Sequence, residues 1–173
     1  QMGVVARSKN ANGCPPVEIL GPPKATRPIT VNCKLSSQYL SALMLIAPYV
    51  AGGLDIKVIH GPVSRPYVEI TVDVMQRFGV PIQRSGYERF VVSVNKFYRS
   101  GRYVIEPDAS QACYFWAAAA VTQSEVTVAG LNDRSVQGDL GLIYLLKAMG
   151  CRVIPEPGGT TVVGGPLSAI DAD

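Results

Sequence analysis

The sequence predicts an α/β (α+β) protein built from two consecutive βαβαββ units. Short β-branched runs alternate with longer apolar stretches of helical spacing, and the whole order occurs twice along the chain. Hydrophobic residues make up 47% of the 173 residues, which is enough for one large or two small cores. Seventeen glycines and thirteen prolines are spread regularly, and this spacing is typical of many short elements.

The first predicted unit covers residues 28–105. Its predicted elements are, in order, strand ITVNC, helix SSQYLSALMLIAPYV, strand LDIKVIH, helix RPYVEITVDVMQRFG, and short strands around VPIQRS and RFVVSV. Residues 1–27 precede it as the tail of another unit, with a turn, a short strand and a loop in NANGCPPVEILGPP.

One segment of this unit, VEITVDV, also alternates apolar and polar residues as a strand would. We predict a helix, because Pro66 suits a first helical turn and Gly79 suits a helix end. The apolar stripe that we expect on this helix consists of Tyr67, Ile70, Val74, Met75 and Phe78.

The second predicted unit covers residues 106–173 and is entered through strand RYVIEP. The elements that follow are helix DASQACYFWAAAAV, strand EVTVAG, helix VQGDLGLIYLLKAMG, and short strands near CRVIPE and TTVVGG. Gly79 and Gly150 both follow the second helix of their unit, where a C-cap glycine belongs. The segment between the units contains nothing typical of a flexible linker, so we expect an ordered strand there.

Composition argues against several classes of protein. The net charge is only +3, and no Lys/Arg run or aromatic–basic interleaving is present, which argues against a nucleic-acid partner. No apolar stretch reaches the length of a membrane span, and no signal peptide is recognisable. The four cysteines form no CxxC pair, so we expect no metal and reduced, partly buried thiols, which fits a cytoplasmic setting.

The segment KLSSQ, residues 34–38, places polar side chains where a strand passes into a helix. The first turn of a helix has free N–H groups and the positive end of the helix dipole, so Ser36, Ser37 and Gln38 can either cap the helix or hold an anion. A simple N-cap is the interpretation that the physics alone favours. Two adjacent serines and a glutamine exceed what one cap requires, so an anion-binding site remains an alternative interpretation.

The segment GPVSRPY, residues 61–67, occupies the equivalent place before the next helix. Ser64 is either an N-cap or a phosphate contact, and Arg65 is either solvated or part of the same site. The two serine-bearing helix starts can converge on one ligand, since successive parallel βα turns lie at one edge of a sheet. In the second unit, the N-cap role alone explains Asp108, and SVQGD is of the same type. His60, the single histidine, has no metal-ligand spacing, so we expect a structural or surface role.

Five motifs in order resemble the EPSP synthase family, also called 3-phosphoshikimate 1-carboxyvinyltransferases. They are LSSQYLSALMLIAPY, SRPYVEITVDVMQRFGV, PDAS with YFWAAAA, VQGD, and LSAID. The resemblance covers nearly the whole chain, from Cys14 onward. The related UDP-N-acetylglucosamine enolpyruvyl transferases share the fold but lack the pair of SSQ and SRPY motifs.

The resemblance implies the inside-out α/β barrel fold of enolpyruvyl transferases, with two domains of three βαβαββ units each. Residues 28–105 would be the last unit of one domain and residues 106–173 the first unit of the other, with a hinge strand around Glu106–Asp108. The family transfers the enolpyruvyl group of phosphoenolpyruvate to shikimate 3-phosphate and releases phosphate, in the shikimate pathway to chorismate and the aromatic amino acids. Glyphosate inhibits these enzymes at the phosphoenolpyruvate site. No cofactor is implied.

By motif position, the resemblance implies that Ser36, Ser37 and Gln38 bind shikimate 3-phosphate. Gln38 would also approach phosphoenolpyruvate. Ser64 would contact the phosphate of shikimate 3-phosphate, and Tyr67 would pack near the shikimate ring.

Other family motifs are absent from these 173 residues. They are the N-terminal lysine–serine–arginine motif, the LGNAGT motif with its following arginine, the catalytic aspartate expected soon after LSAID, and the later lysine, glutamate and arginine cluster. The usual glycine-rich lead into SSQ is also replaced, with Lys34 at a position where a small residue is common. We therefore expect the catalytic acid and base to lie outside this chain, which would be one piece of an enzyme without turnover of its own, completed by the remainder of the enzyme.

Two other functions remain open from the sequence. The chain could be a non-catalytic module on the same scaffold that binds a phosphorylated ligand or a partner protein. It could also be a structural piece that binds no ligand.

Overall fold

A computed structural model describes residues 2–25, 28–94, 97–131 and 134–171. The chain divides into two compact units, Gln1–Gly101 and Arg102–Asp173. Within the described ranges, no helix has both the length and the apolar character that crossing a membrane requires.

The first unit begins with an antiparallel hairpin of strands β1 (Val5–Ser8) and β2 (Val17–Leu20). Strand β2 is the short strand that we predicted within NANGCPPVEILGPP. Strand β1 was not predicted, because its sequence VARS has neither an apolar run nor a clear alternation.

The rest of the first unit follows the predicted βαβαββ order. Its elements are β3 (Ile29–Asn32), α1 (Gln38–Ile46) with a 3₁₀ turn (Ala47–Tyr49), β4 (Leu54–Ile59), α2 (Arg65–Arg77), β5 (Gln83–Ser85) and β6 (Arg89–Val92). The sheet order is β3-β4-β6-β5. Strands β3 and β4 are parallel, whereas β6 runs antiparallel to both of its neighbours, β4 and β5.

The ambiguous segment VEITVDV is helical, as predicted, but the predicted apolar stripe was mostly wrong. Val68, Val72 and Met75 are the buried residues of α2, and they repeat at the spacing of one helical face. Of the predicted stripe, only Met75 is buried, while Tyr67 is 56% exposed. Of the alternating apolar residues of VEITVDV, Val68 and Val72 therefore lie on the buried face, and Ile70 and Val74 are half-buried beside it.

The core of the first unit lies between the two helices and the sheet. Leu40 and Met44 of α1 are fully buried in one cluster with Ile56 and Phe90 of the sheet. At about 25 cal/mol per Å² of buried apolar surface, a side chain such as Phe90 contributes roughly 2–3 kcal/mol. This core fixes both helices against the strands that precede them.

The second unit lacks one predicted strand. Its elements are α3 (Ala109–Thr122), β7 (Glu125–Ala129), a 3₁₀ turn (Gly138–Leu140), α4 (Gly141–Ala148), β8 (Arg152–Glu156) and β9 (Gly159–Val163). The strand predicted at RYVIEP is wrong, because residues 102–107 form no strand. Val104 and Ile105 are 83% and 84% exposed, so these apolar residues pair with no sheet in the described part of the chain.

The three strands of the second unit form an antiparallel sheet in the order β7-β9-β8. Helix α3 packs on it through Trp116, whose indole N–H donates to the carbonyl oxygen of Thr160 at 3.1 Å inside the core. Gly79 and Gly150 have φ values of +88° and +115°, which confirms both predicted helix-terminating glycines.

Candidate functional site: a pocket between two helix starts

A cavity of about 190 Å³ lies at the starts of α1 and α2 in the first unit. Its walls are formed by Leu35, Ser36, Ser37, Gln38, Ser41, Val63, Ser64 and Tyr67. The five residues that we predicted from the sequence as ligand contacts are all among them. The structure therefore brings the two serine-bearing segments together in one pocket.

The sheet explains why these segments meet. Strands β3 and β4 are parallel neighbours, paired from Ile29 with Ile56 to Asn32 with Ile59, so α1 and α2 begin at the same edge. Beyond the sheet, the N–H of Cys33 donates to the carbonyl oxygen of His60 at 3.0 Å, and the N–H of Val63 donates to that of Cys33 at 3.3 Å. Backbone hydrogen bonds thus hold the two loops together.

Gly61 is required at the closest approach of these loops. Its φ is +106°, and a Cβ atom there would lie 2.6 Å from the carbonyl oxygen of Cys33. Any larger residue would be strained and would push the loops apart.

Ser36 behaves as the simple capping interpretation expects. Its Oγ accepts a hydrogen bond from the backbone N–H of Gln38 at 3.1 Å. This bond satisfies one of the free N–H groups at the start of α1.

Ser37 and Ser64 occupy the N-cap positions of α1 and α2 but do not cap them. Neither side chain hydrogen-bonds the first turn of its own helix. Ser37 is only 5% exposed, whereas Ser64 is exposed. Both residues line the pocket, and capping does not account for their hydroxyls.

The backbone of Ser64 is left-handed, with φ +53° and ψ +49°. A residue with a Cβ pays of order 1 kcal/mol or more for this conformation. Strain of this kind persists where the surroundings hold it, and it is concentrated at ligand-binding positions.

Gln38 and Tyr67 form more open walls of the pocket. Both side chains are exposed, and the N–H of Tyr67 donates to the carbonyl oxygen of Ser64 at 3.1 Å. Leu35 and Val63 add apolar surface beside them. The pocket therefore combines hydroxyl and amide groups with an aromatic ring, a set suited to a small polar ring that carries an anionic group.

Ser41 lines the pocket and was not predicted. Its Oγ lies 2.9 Å from Oγ1 of Thr71 on α2. The sequence did hold a signal for it, because Ser41 stands four residues after Ser37 and therefore on the same face of α1.

A charged cluster lies at the first turns of α2. The Arg65 guanidinium stacks over the Tyr87 ring at 4.8 Å. Glu69 Oε1 accepts hydrogen bonds from Arg84 Nη1 and from the Tyr87 hydroxyl, each at 2.6 Å. The hydrogen bond from Arg84 holds the pKa of Glu69 below its usual value, and the hydrogen bond to Glu69 raises the pKa of Tyr87. Glu69 is therefore ionised and Tyr87 protonated near neutral pH.

The polar residues at the start of α3 serve the fold. Asp108 accepts a hydrogen bond from the N–H of Ser110 at 2.8 Å, which confirms its predicted N-cap role. Gln137 of SVQGD accepts from the N–H of Ala109 at 2.7 Å and donates to the carbonyl oxygen of Pro107 at 2.8 Å. Asp108 and Gln137 therefore use these polar atoms in hydrogen bonds to the backbone.

The cysteines and His60 form no site in the described part of the chain. All four cysteines are free, and burial raises the pKa of Cys33 and of Cys113. His60 is exposed in the loop after β4. Among residues 2–25, 28–94, 97–131 and 134–171, no group of three or more His, Cys, Asp or Glu side chains could hold a metal ion.

Comparison with solved structures shows the fold. EPSP synthase from Acinetobacter baumannii superposes with a TM-score of 0.71 at 22% identity, over 98% of this chain and 39% of that one. The enolpyruvyl transferase NikO from Streptomyces tendae superposes with a TM-score of 0.66 at 20% identity, over 94% of this chain and 40% of that one. The predicted class, an α/β fold of the enolpyruvyl transferase type, is confirmed.

Sequence relatives point to the same family. The 3-phosphoshikimate 1-carboxyvinyltransferase of Methanosphaerula palustris is 45% identical over 161 residues, covering 93% of this chain and 38% of that protein. The chloroplastic one of Solanum lycopersicum is 40% identical over 174 residues, covering 98% of this chain and 33% of that protein. The chain thus spans less than half the length of the relatives it matches. The family model for EPSP synthase (3-phosphoshikimate 1-carboxyvinyltransferase) matches residues 1–173, and the chain belongs to this family.

Proposed function

We propose that this chain contributes part of the shikimate 3-phosphate site of an enzyme that transfers the enolpyruvyl group of phosphoenolpyruvate to that substrate. Ser36, Ser37, Gln38, Ser64 and Tyr67 bind shikimate 3-phosphate in this proposal. Gln38 also approaches phosphoenolpyruvate. The remainder of the enzyme, outside this chain, supplies the other contacts.

The observation that carries the proposal is the shared pocket lined by two serines whose side chains do not cap their helices. A phosphate oxygen accepts hydrogen bonds from hydroxyls and from the free N–H groups at helix starts, and the helix dipoles favour negative charge there. Ser37 and Ser64 stand at two such starts around one cavity. Tyr67 and Val63 add apolar surface to the lining of the same cavity.

The lining of the pocket also supports binding without turnover. The eight described lining residues include no carboxylate, imidazole, ammonium or guanidinium group. Enolpyruvyl transfer needs a proton acceptor, a proton donor and cations for the developing charge. We therefore expect these 173 residues by themselves to bind shikimate 3-phosphate weakly and to release no phosphate from the two substrates.

The binding test is a titration of the isotope-labelled chain with shikimate 3-phosphate, followed by amide NMR. We expect shifts at Ser36–Gln38 and Ser64, and no comparable response to unphosphorylated shikimate. Ser37→Ala and Ser64→Ala should each weaken binding roughly tenfold, the scale for losing a hydrogen bond to a charged group. Ser85→Ala is the matched control, because Ser85 is an exposed serine of the same unit outside the pocket lining.

Each alternative function has its own outcome in this titration. A response to another phosphorylated compound but not to shikimate 3-phosphate would favour a non-catalytic phosphate-binding module. No response to any phosphorylated compound would favour a structural piece. Phosphate release by the purified chain at the rate of a complete enzyme would contradict the expected lack of turnover.

A further inference from the structure

The hydroxyl of Ser41 is a pocket group held by a second hydroxyl from the other helix. Ser41 lies on α1 one turn after Ser37 and lines the pocket. Thr71, which is half-buried on α2, has its Oγ1 2.9 Å from Ser41 Oγ and 2.9 Å from the carbonyl oxygen of Tyr67. One hydroxyl of α2 thus touches both a pocket residue of α1 and the backbone of a pocket residue of its own helix.

Counting protons gives this pair two arrangements. A hydroxyl has one proton and two lone pairs, and it rotates to suit its partners, so Thr71 donates to one of its two acceptors at a time. When Thr71 donates to the Tyr67 carbonyl, Ser41 receives no proton from Thr71, and this contact does not orient its hydroxyl. When Thr71 donates to Ser41 instead, the Ser41 proton is free to point into the pocket.

The second arrangement costs little. The carbonyl oxygen of Tyr67 lies within α2, where it keeps the hydrogen bond from the backbone N–H four residues later. An anionic oxygen in the pocket selects this arrangement, because it accepts the Ser41 proton in a charge-assisted hydrogen bond. A neutral or empty pocket leaves both arrangements available.

We propose that Ser41 is a further ligand-contacting residue that donates its hydroxyl proton to an anionic oxygen of a phosphorylated ligand, and that Thr71 is the positioning residue that holds Ser41 for this role. The ligand class rests on the function proposed above. The two-hydroxyl bridge itself needs only an anion in the pocket.

The test is a set of variants titrated with shikimate 3-phosphate and, separately, with inorganic phosphate. Thr71→Val keeps the shape of the side chain and removes the hydroxyl, and Ser41→Ala removes the partner. Each should raise the Kd roughly fivefold, and the double variant should be no weaker than Ser41→Ala alone, because Thr71 acts only through Ser41. Thr71→Ser should restore the wild-type Kd.

The chain provides a closely matched control at the end of α3. Thr122 Oγ1 donates to the carbonyl oxygen of Ala118 at 2.7 Å and lies 2.8 Å from Ser124 Oγ, so it repeats the chemistry of Thr71 away from the pocket. Thr122→Val should change thermal stability about as much as Thr71→Val does and leave both Kd values unchanged. A general structural effect would appear in both variants alike.

The outcomes separate this inference from the proposed function. Binding of shikimate 3-phosphate that Thr71→Val leaves unchanged would overturn the inference and keep the function. Binding of inorganic phosphate alone, weakened by Thr71→Val and rescued by Thr71→Ser, would support the inference and overturn the function. If neither compound binds the wild-type chain, both are overturned.

Discussion

The helix starts of the two units carry similar polar residues and use them in opposite ways. At α3, Asp108 and Gln137 are hydrogen-bonded to backbone groups, and the Ser110 hydroxyl donates to the Asp139 carboxylate. At α1 and α2, Ser37 and Ser64 leave the first turn uncapped by their side chains and face a common cavity. The side chains at the start of α3 are therefore taken up by the fold, whereas Ser37 and Ser64 do not act as caps; Ser36 both caps α1 and lines the pocket.

The two units also differ in charge. Residues 1–101 contain 12 Lys and Arg against 5 Asp and Glu, whereas residues 102–173 contain 4 against 8. The mild total of +3 therefore conceals a unit of net +7 and a unit of net −4. The positive unit contains the candidate anion pocket, and a positive field of this kind raises the rate of encounter with anions.

The largest expected effect comes from Gln137 in the second unit. Gln137→Ala removes one hydrogen bond to the N–H of Ala109 and one to the carbonyl oxygen of Pro107. We expect the free energy of unfolding to fall by about 2 kcal/mol, at roughly 1 kcal/mol per lost hydrogen bond. Denaturant unfolding measures this, with Ser37→Ala as the comparison, for which we expect a much smaller loss. Equal losses in the two variants would remove the distinction between the units.

A smaller effect of opposite sign is expected at Ser64. Ser64→Gly relieves the left-handed backbone, so we expect the free energy of unfolding to rise by about 1 kcal/mol. The same change removes the pocket hydroxyl and should weaken shikimate 3-phosphate binding. Ser64→Ala is the control, since it loses the hydroxyl and keeps the strain. Unfolding and ligand titration of the three proteins give both quantities, and tighter binding by Ser64→Gly would contradict this account.

The smallest effect concerns Glu69 and pH. Because its pKa is lowered in the folded state, its pairing with Arg84 stabilises the fold above the usual pKa of a glutamate. That contribution is lost as the pH falls through the lowered value. We expect the free energy of unfolding of Glu69→Gln to depend less steeply on pH below about 4.5, the ordinary pKa of a glutamate. Asp73→Asn, which breaks the exposed ion pair with Arg77, serves as the comparison.

Much of the first unit could be predicted from the sequence because its elements are strongly patterned. The helix start signalled by Pro66 and the helix end signalled by Gly79 outweighed the strand-like alternation of VEITVDV, and the helix formed. The strand predicted at RYVIEP did not form, although its residue types favour one. Its residues have β-branched character, but a strand needs a neighbour to pair with, and propensity does not report whether one is present.

The residues that line the candidate site could be predicted from the sequence, but their hydrogen bonds could not. The resemblance of the SSQ and SRPY segments to the family's motifs implied five residues that line the pocket, and two parallel βα turns bring these segments to one edge of the sheet. The sequence could not say which serine caps, since Ser36 and Ser37 are chemically identical neighbours. The bridge between Ser41 and Thr71 joins residues thirty positions apart, so only the packing of α1 on α2 reveals it.

The contact between the loops that begin α1 and α2 has a consequence for mutational tolerance. The gap between the two helix starts is set by main-chain groups of Cys33, His60 and Val63, with Gly61 at the crossing point. Exchanging side chains of the pocket lining leaves these main-chain contacts in place. A library designed to change ligand preference should keep position 61 as glycine and restrict position 64 to residues that tolerate a left-handed backbone.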